Sequence, residues 1–93
     1  MSIVIIGGHD RMVCRYRNIC KKYNCKAKIF TQMPGDLKKQ LGSPDLCVVF
    51  VNTVSHNMVK CAMEEAKKSE TEVIRSQSSS GSALTQILEE YCA

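Results

Sequence analysis

The chain alternates short runs of apolar residues with longer stretches in which apolar residues recur at helical spacing. The apolar runs are continuous, without alternating polar residues, and this pattern is typical of strands that are covered on both faces, as in a parallel sheet. Four strands are predicted, at residues 2–6, 26–31, 46–51 and 72–76.

Helices are predicted between and after these strands. Asp10 is the expected N-cap of the first helix, which Asn24 ends, and Ser55 is the expected N-cap of the third. Apolar residues recur every three or four positions, so each helix has one apolar face that can pack against the sheet. The predicted helices span residues 10–23, 36–41, 56–69 and 82–91.

This alternation of strands and helices predicts one α/β domain over residues 1–93. Because parallel strands joined by helices cross over right-handedly, helices cover both faces and the fold has three layers. We expect a four-stranded parallel sheet of order 2-1-3-4, Rossmann-like or flavodoxin-like in topology. A chain this short buries a modest share of its surface, which favours a homodimer that hides one hydrophobic edge.

The six cysteines and the lack of a long apolar segment define the expected compartment. The cysteines form no C-x-x-C pair, so the ligand spacing of a structural zinc site is absent. No apolar run is long enough to span a membrane, and no secretory signal precedes the first strand. We therefore expect a cytoplasmic protein with no membrane partner, whose reduced thiols, Cys14 among them, serve mainly in packing.

Positive charge is concentrated in the first half of the chain, although the net charge is only +4. Residues 1–45 contain nine Lys or Arg and three Asp or Glu, whereas residues 46–93 contain four and six. Three interpretations are open: a solvated helix face, a phosphate-bearing ligand near Arg11 and Arg15, or nucleic acid along the helix. The clustered cations are Arg11, Arg15, Arg17, Lys21, Lys22, Lys26 and Lys28.

The carboxyl ends of the predicted strands bring the candidate functional residues together. In an open parallel sheet, ligands bind beyond these ends where the strand order reverses, which here lies between the first and third strands. Residues 7–11 leave the first strand, residues 52–56 leave the third, and residues 77–82 leave the fourth at the same edge. Both histidines of the chain, His9 and His56, therefore belong to one edge of the sheet.

These two histidines are compatible with several functions. They are candidate ligands of a metal or a haem iron, with a third ligand from Asp10, Cys14, water or a second subunit. They could also contact a ligand as acid and base, or simply begin two helices.

The serine-rich segment 78–82 offers hydroxyl groups, N–H groups and the positive end of a helix, which are the parts of an anion site. The alternative is that these serines only cap the helix. Gly7 and Gly8 allow close approach of the backbone, but they are not part of a G-x-G-x-x-G motif, and no acidic residue ends the second strand to bind a ribose. A dinucleotide site is therefore disfavoured.

Together these segments resemble the bacterial family known as domain of unknown function 2325, over essentially the whole chain. The resemblance implies a Rossmann-like fold in cytosolic bacterial proteins, and it marks His9, Thr53, His56 and the serine loop without assigning them a role. The motifs that carry it are Gly7-Gly8-His9, the basic helix with its tyrosine, the 45–49 strand that runs to Thr53-Val54-Ser55-His56, and Ser78-Ser79-Ser80.

A weaker resemblance, in size and topology, is to IIB phosphotransferase domains. Those domains carry a phosphoryl-accepting cysteine directly after the first strand. This chain has His9 in that place, and Cys14 follows five residues later.

We predict a small-ligand-binding or sensing module that holds an anionic or metal-containing molecule at this edge. One alternative is a small phosphoryl-transfer enzyme with His9 or Cys14 as nucleophile, and another is a nucleic-acid-binding module that uses the basic first helix. The low aromatic content weakens a base-stacking mode. The predicted ligand-contacting residues are His9, Asp10, Arg11, Arg15, Thr53, Ser55, His56, Ser78, Ser79, Ser80 and Ser82.

Overall fold

The computed structural model describes residues 1–32, 42 and 44–92 of the chain. The short helix predicted at residues 36–41 lies outside the described residues. The four strands are β1 (Ser2–Ile6), β2 (Lys26–Phe30), β3 (Leu46–Phe50) and β4 (Glu72–Ser76). The described helices are α1 (Val13–Lys22), α2 (His56–Lys68) and α3 (Gly81–Cys92), and a 3-10 turn at Asp10–Met12 leads into α1.

The four strands form one parallel sheet in the order β2-β1-β3-β4, which confirms the predicted topology. One row of aligned apolar residues, Ile29, Ile5, Val48 and Ile74, crosses all four strands on the same face. β1 and β3 occupy the centre because they are the most apolar strands, and every residue of β3 is buried. The strand order reverses between these two strands, as predicted.

Helices pack on both faces of the sheet and complete the three layers. α1 and α3 cover one face, where Tyr16, Leu84 and Leu88 are fully buried in the same core as β1 and β3. α2 covers the other face with Met58 and Ala62, which pack with the alternate residues of the central strands. In the described part of the chain, no helix is both long and apolar enough to cross a membrane.

Polar residues define the helix ends, although not always in the predicted way. Ser55 caps α2 as predicted, because its hydroxyl oxygen accepts a hydrogen bond from the Met58 N–H at 3.2 Å. Asn24 ends α1 in the left-handed conformation, with a φ of 56°. The prediction that Asp10 caps the first helix is wrong, because Asp10 begins the 3-10 turn and its carboxylate accepts a hydrogen bond from the Thr31 hydroxyl.

Most of the cysteines whose burial the structure describes pack in the core. Cys20, Cys25 and Cys47 are buried, in agreement with the predicted packing role. Cys14 is exposed, so that prediction is wrong for this residue. The physical reason is its position on α1: Tyr16 and Cys20 are one helical turn apart and face the sheet, which leaves Cys14 on the opposite side.

The buried thiol of Cys47 should make folding stability depend on alkaline pH. Burial raises the pKa of this thiol from 9.0 to about 11. Because the unfolded chain ionises first, this contribution is complete below pH 9 and is lost as the pH rises through 11. Between pH 9 and 11 we expect ionisation of Cys47 to lower the free energy of unfolding of the wild type by about 2–3 kcal/mol. Urea denaturation under reducing conditions measures this loss.

Cys47→Ala should remove this part of the pH dependence, whereas Cys14→Ala, which deletes an exposed thiol, should retain it. An equally steep alkaline loss of stability in Cys47→Ala and the wild type would contradict the assignment.

Candidate functional site

Hydrogen bonds through Thr53 join the carboxyl end of β1 to the turn after β3. The Gly8 N–H donates to Thr53 Oγ1 at 2.7 Å, and the Thr53 hydroxyl donates to the Phe50 carbonyl at 3.0 Å. Gly7 has a φ of 104°, and a Cβ at this position would lie 2.7 Å from Thr53 Oγ1. The two glycines therefore let the end of β1 pack closely against the turn that follows β3. The Thr53 hydroxyl is already hydrogen-bonded within the fold.

Tyr16 supports the same edge from within the core, although the sequence indicates it only as a core position of α1. Its ring packs on Phe50 with the ring centroids 5.4 Å apart, and its hydroxyl donates to the Ser79 carbonyl at 2.5 Å. Burial raises the pKa of the Tyr16 hydroxyl above its ordinary 10.0, so this group is a neutral donor at neutral pH. The sequence signal that could have identified it is a tyrosine on the buried side of a helix, because its hydroxyl needs a partner.

The serine loop between β4 and α3 is held by its own hydroxyl groups. Ser76 Oγ donates to the Ser78 carbonyl at 2.7 Å, and Ser78 Oγ donates to Ser80 Oγ at 3.1 Å. Ser80 Oγ accepts the Ala83 N–H at 3.1 Å and so caps α3. Ser80 thus has the capping role that the sequence left open as an alternative, Ser78 bonds to Ser80 within the loop, and the Ser79 carbonyl accepts the Tyr16 hydroxyl.

Arg15 and Ser82 line a cleft of about 460 Å³ between α1 and α3. The Arg15 side chain lies against the first turn of α3, since a Cβ on Gly81 would be only 2.8 Å from Arg15 Nε. Glycine at position 81 is therefore what allows the guanidinium group to lie beside the helix N-terminus. The remaining residues that line the cleft are Asn18, Ile19, Lys22, Thr85, Gln86 and Glu89.

Of the predicted contact residues, only Arg15 and Ser82 line this cleft. The Asp10 carboxylate accepts the Thr31 hydroxyl, and the Ser55 hydroxyl oxygen caps α2, so both side chains have partners within the fold. Arg11 is exposed to solvent in the 3-10 turn that precedes α1.

His9 and His56 follow neighbouring strands at the same edge, but the chain continues from them to opposite faces. His9 precedes the 3-10 turn that leads to α1, and its carbonyl accepts the Met12 N–H at 2.8 Å. His56 is the first residue of α2 and lines a second groove, beside Val59. Both histidines are exposed. Within residues 1–32, 42 and 44–92, no three His, Cys, Asp or Glu side chains form a group that could hold a metal, so a metal here needs further ligands.

Comparison with known families supports the resemblance found in the sequence. A family described as an uncharacterised protein conserved in bacteria, DUF2325, matches residues 2–91. The chain belongs to the DUF2325 family. That description assigns no activity to DUF2325 proteins, and a search of curated proteins finds no significant match.

The DUF2325 chain is also similar to a solved structure, the solution NMR structure of a de novo designed Rossmann 2x2 fold protein. The TM-score is 0.64 and the identity is 20%, and the alignment covers 99% of this chain and 87% of the designed chain. At this identity the similarity shows the Rossmann-like fold alone.

Gly8→Ala tests the close packing at the carboxyl edge of this DUF2325 chain. Gly8 has a φ of 85°, and an added Cβ would lie 2.6 Å from Tyr16 Cε2. We expect a loss of about 2–4 kcal/mol in the free energy of unfolding, measured by urea denaturation. Gly42→Ala is the control, because Gly42 also has a positive φ, of 60°, but no described atom within 4 Å of an added Cβ. It should cost about 1 kcal/mol, and equal losses in the two variants would argue against a steric origin.

Tyr16→Phe tests the buried hydrogen bond to the serine loop. Removal of the hydroxyl leaves the Ser79 carbonyl without this donor, so we expect a loss of about 1–2 kcal/mol and faster amide exchange at residues 77–80. Tyr23→Phe is matched in chemistry, but the hydrogen bond from the Tyr23 hydroxyl to Glu89, at 3.3 Å, is exposed. It should change stability by less than about 0.5 kcal/mol, and a similar change in both variants would count against a special role for Tyr16.

Proposed function

We propose that this DUF2325 chain is a small-ligand-binding module that holds an anionic molecule at the Arg15 end of the α1–α3 cleft. The observation that supports the proposal is the contact between the Arg15 side chain and the first turn of α3 at Gly81. A guanidinium group and a helix N-terminus each favour a negative charge, and here the two lie together in one cleft.

The first turn of α3 supplies further hydrogen-bond donors. Two backbone N–H groups of this turn donate hydrogen bonds to Ser80. The backbone N–H groups of Gly81 and Ser82 have no acceptor among the described residues. Ser82 is exposed and lines the cleft, so it adds a hydroxyl group. A phosphate or carboxylate group of a small molecule can accept hydrogen bonds from these donors and from the Arg15 guanidinium group together.

The residues around the cleft support binding over phosphoryl transfer. His9 and Cys14, the predicted nucleophiles, are not among the residues that line it. Glu89 contributes a carboxylate to the lining of the cleft, but it lies toward the end opposite Arg15 and accepts a hydrogen bond from the Tyr23 hydroxyl at 3.3 Å. We therefore assign the module a binding or sensing role, in the bacterial cytoplasm, where thiols stay reduced.

Nucleic-acid binding is the second candidate function, because the cations of α1 and of the 3-10 turn before it face solvent. Arg11, Arg17, Lys21 and Lys22 are exposed, and none of them forms an ion pair with another described residue. A basic face of this kind binds a phosphate backbone with an affinity that falls steeply with salt.

The test is a titration of ¹⁵N-labelled protein with sodium phosphate at constant ionic strength, followed by amide chemical shifts. We expect saturable shifts at Gly81 and Ser82 with a Kd of roughly millimolar order, as befits a small ion. Arg15→Gln should weaken this binding at least about tenfold, because hydrogen bonds to charged groups are worth about 1.5–3 kcal/mol. Absence of shifts at these two residues would contradict the proposal.

Arg17→Gln is the matched control, since it removes the same charge from the same helix at a residue outside the cleft. It should change the Kd less than about twofold, because exposed charges at this distance are screened. Equal weakening by the two variants would favour the diffuse basic face, and a single-stranded oligonucleotide should then bind with a similar dependence on Arg15 and Arg17.

A further inference from the structure

We infer that the groove between α2 and β4 is an interface between two copies of this chain. The groove has a volume of about 580 Å³, and Val59, Met63 and Val73 contribute to its apolar lining. Met63 is 37% exposed, which is unusual for a large apolar side chain in the described part of this protein. The groove lies on the face of the sheet opposite the α1–α3 cleft, so the inference is independent of the proposed function.

Among the described strands β4 lies at the edge of the sheet, and its outer backbone groups have no partner strand there. The Val51 N–H donates to the Ser76 carbonyl at 3.0 Å, so the backbone of Ser76 faces β3. Because successive residues of a strand direct their backbone groups to opposite sides, those of Val73 and Arg75 face away from the sheet. Both residues line the groove, and an unpaired edge beside an apolar surface is a template for another strand.

The opposite edge of the sheet is protected against such pairing. β2 carries two exposed lysines, Lys26 and Lys28, and two copies of β2 would bring four positive charges together. β4 carries one acidic and one basic residue, Glu72 and Arg75, so two copies meet without an excess of either charge. The charges of the two edge strands themselves therefore favour pairing through β4 over pairing through β2.

The rim of the groove is self-complementary under a two-fold rotation. α2 runs antiparallel to β4, because it returns the chain from the carboxyl edge to the amino edge of the parallel sheet. A two-fold axis that is perpendicular to the sheet and passes beside Ile74, the middle residue of β4, therefore also passes near Ala62, the middle residue of α2. With the two β4 strands antiparallel about this axis, Lys60 of each copy lies opposite Glu64 of the other, and Met63 lies between them.

Sedimentation equilibrium of the wild-type chain at roughly 100 μM should show a dimer, as expected for an interface that joins two strands and two helices. Met63→Glu introduces a charge at the centre of the apolar surface and should weaken dimerisation at least about tenfold. Circular dichroism should show that this variant keeps its fold, because Met63 is exposed. A monomeric wild type, or a Met63→Glu variant that remains dimeric, overturns the proposal and leaves the groove to a partner of different sequence.

A charge exchange tests the two-fold arrangement itself. Glu64→Lys should weaken the dimer about threefold or more at low salt, and the double variant Lys60→Glu/Glu64→Lys should restore it. Glu90→Lys is the matched control, because it makes the same charge change at an exposed residue of α3, which packs on the other face of the sheet and does not line the groove. It should leave the dimer unchanged, and failure of the double variant to restore dimerisation overturns this pairing.

Discussion

The hydroxyl group of Tyr16 is buried where α1, β1, β3 and the serine loop meet, and a polar group in such a place must have a partner. The Ser79 carbonyl is that partner, while the tyrosine ring lies between Gly8 and Phe50. An unsatisfied hydroxyl here would cost about 1–3 kcal/mol, which is a large share of the stability of so small a chain. The course of the serine loop, and hence the place where α3 begins, depends on this one side chain.

Hydroxyl groups are plentiful at the carboxyl edge of the sheet, yet most of them serve the backbone. Thr53, Ser55 and Ser80 each use the side-chain oxygen to bind a backbone N–H group at the end of a strand or the start of a helix. Backbone groups in these places have no partner in a ladder or a helix, and short hydroxyl side chains are the nearest alternative. The donors that the described fold leaves unused at this edge include those of Arg15 and of the first turn of α3.

The sequence predicts the sheet order and the helix positions because both follow from patterns repeated over many residues. Continuous apolar runs identify the central strands, and helical spacing identifies the buried face of each helix. The site is less predictable, since it depends on single contacts between residues distant in sequence, such as Arg15 with Gly81 and Asp10 with Thr31. Strand order can place His9 at the same edge as another histidine, but it does not determine whether the two share a site.

Both ends of the described chain lie at the amino edge of the sheet. β1 begins there, and α3 returns to it from the carboxyl edge, where the Glu72 carboxylate at the start of β4 interacts with the Tyr91 hydroxyl. The Arg15 end of the cleft lies at the other edge, one strand length away. Any group attached at either end of the described residues would therefore lie behind the cleft, at the edge of the sheet opposite its Arg15 end.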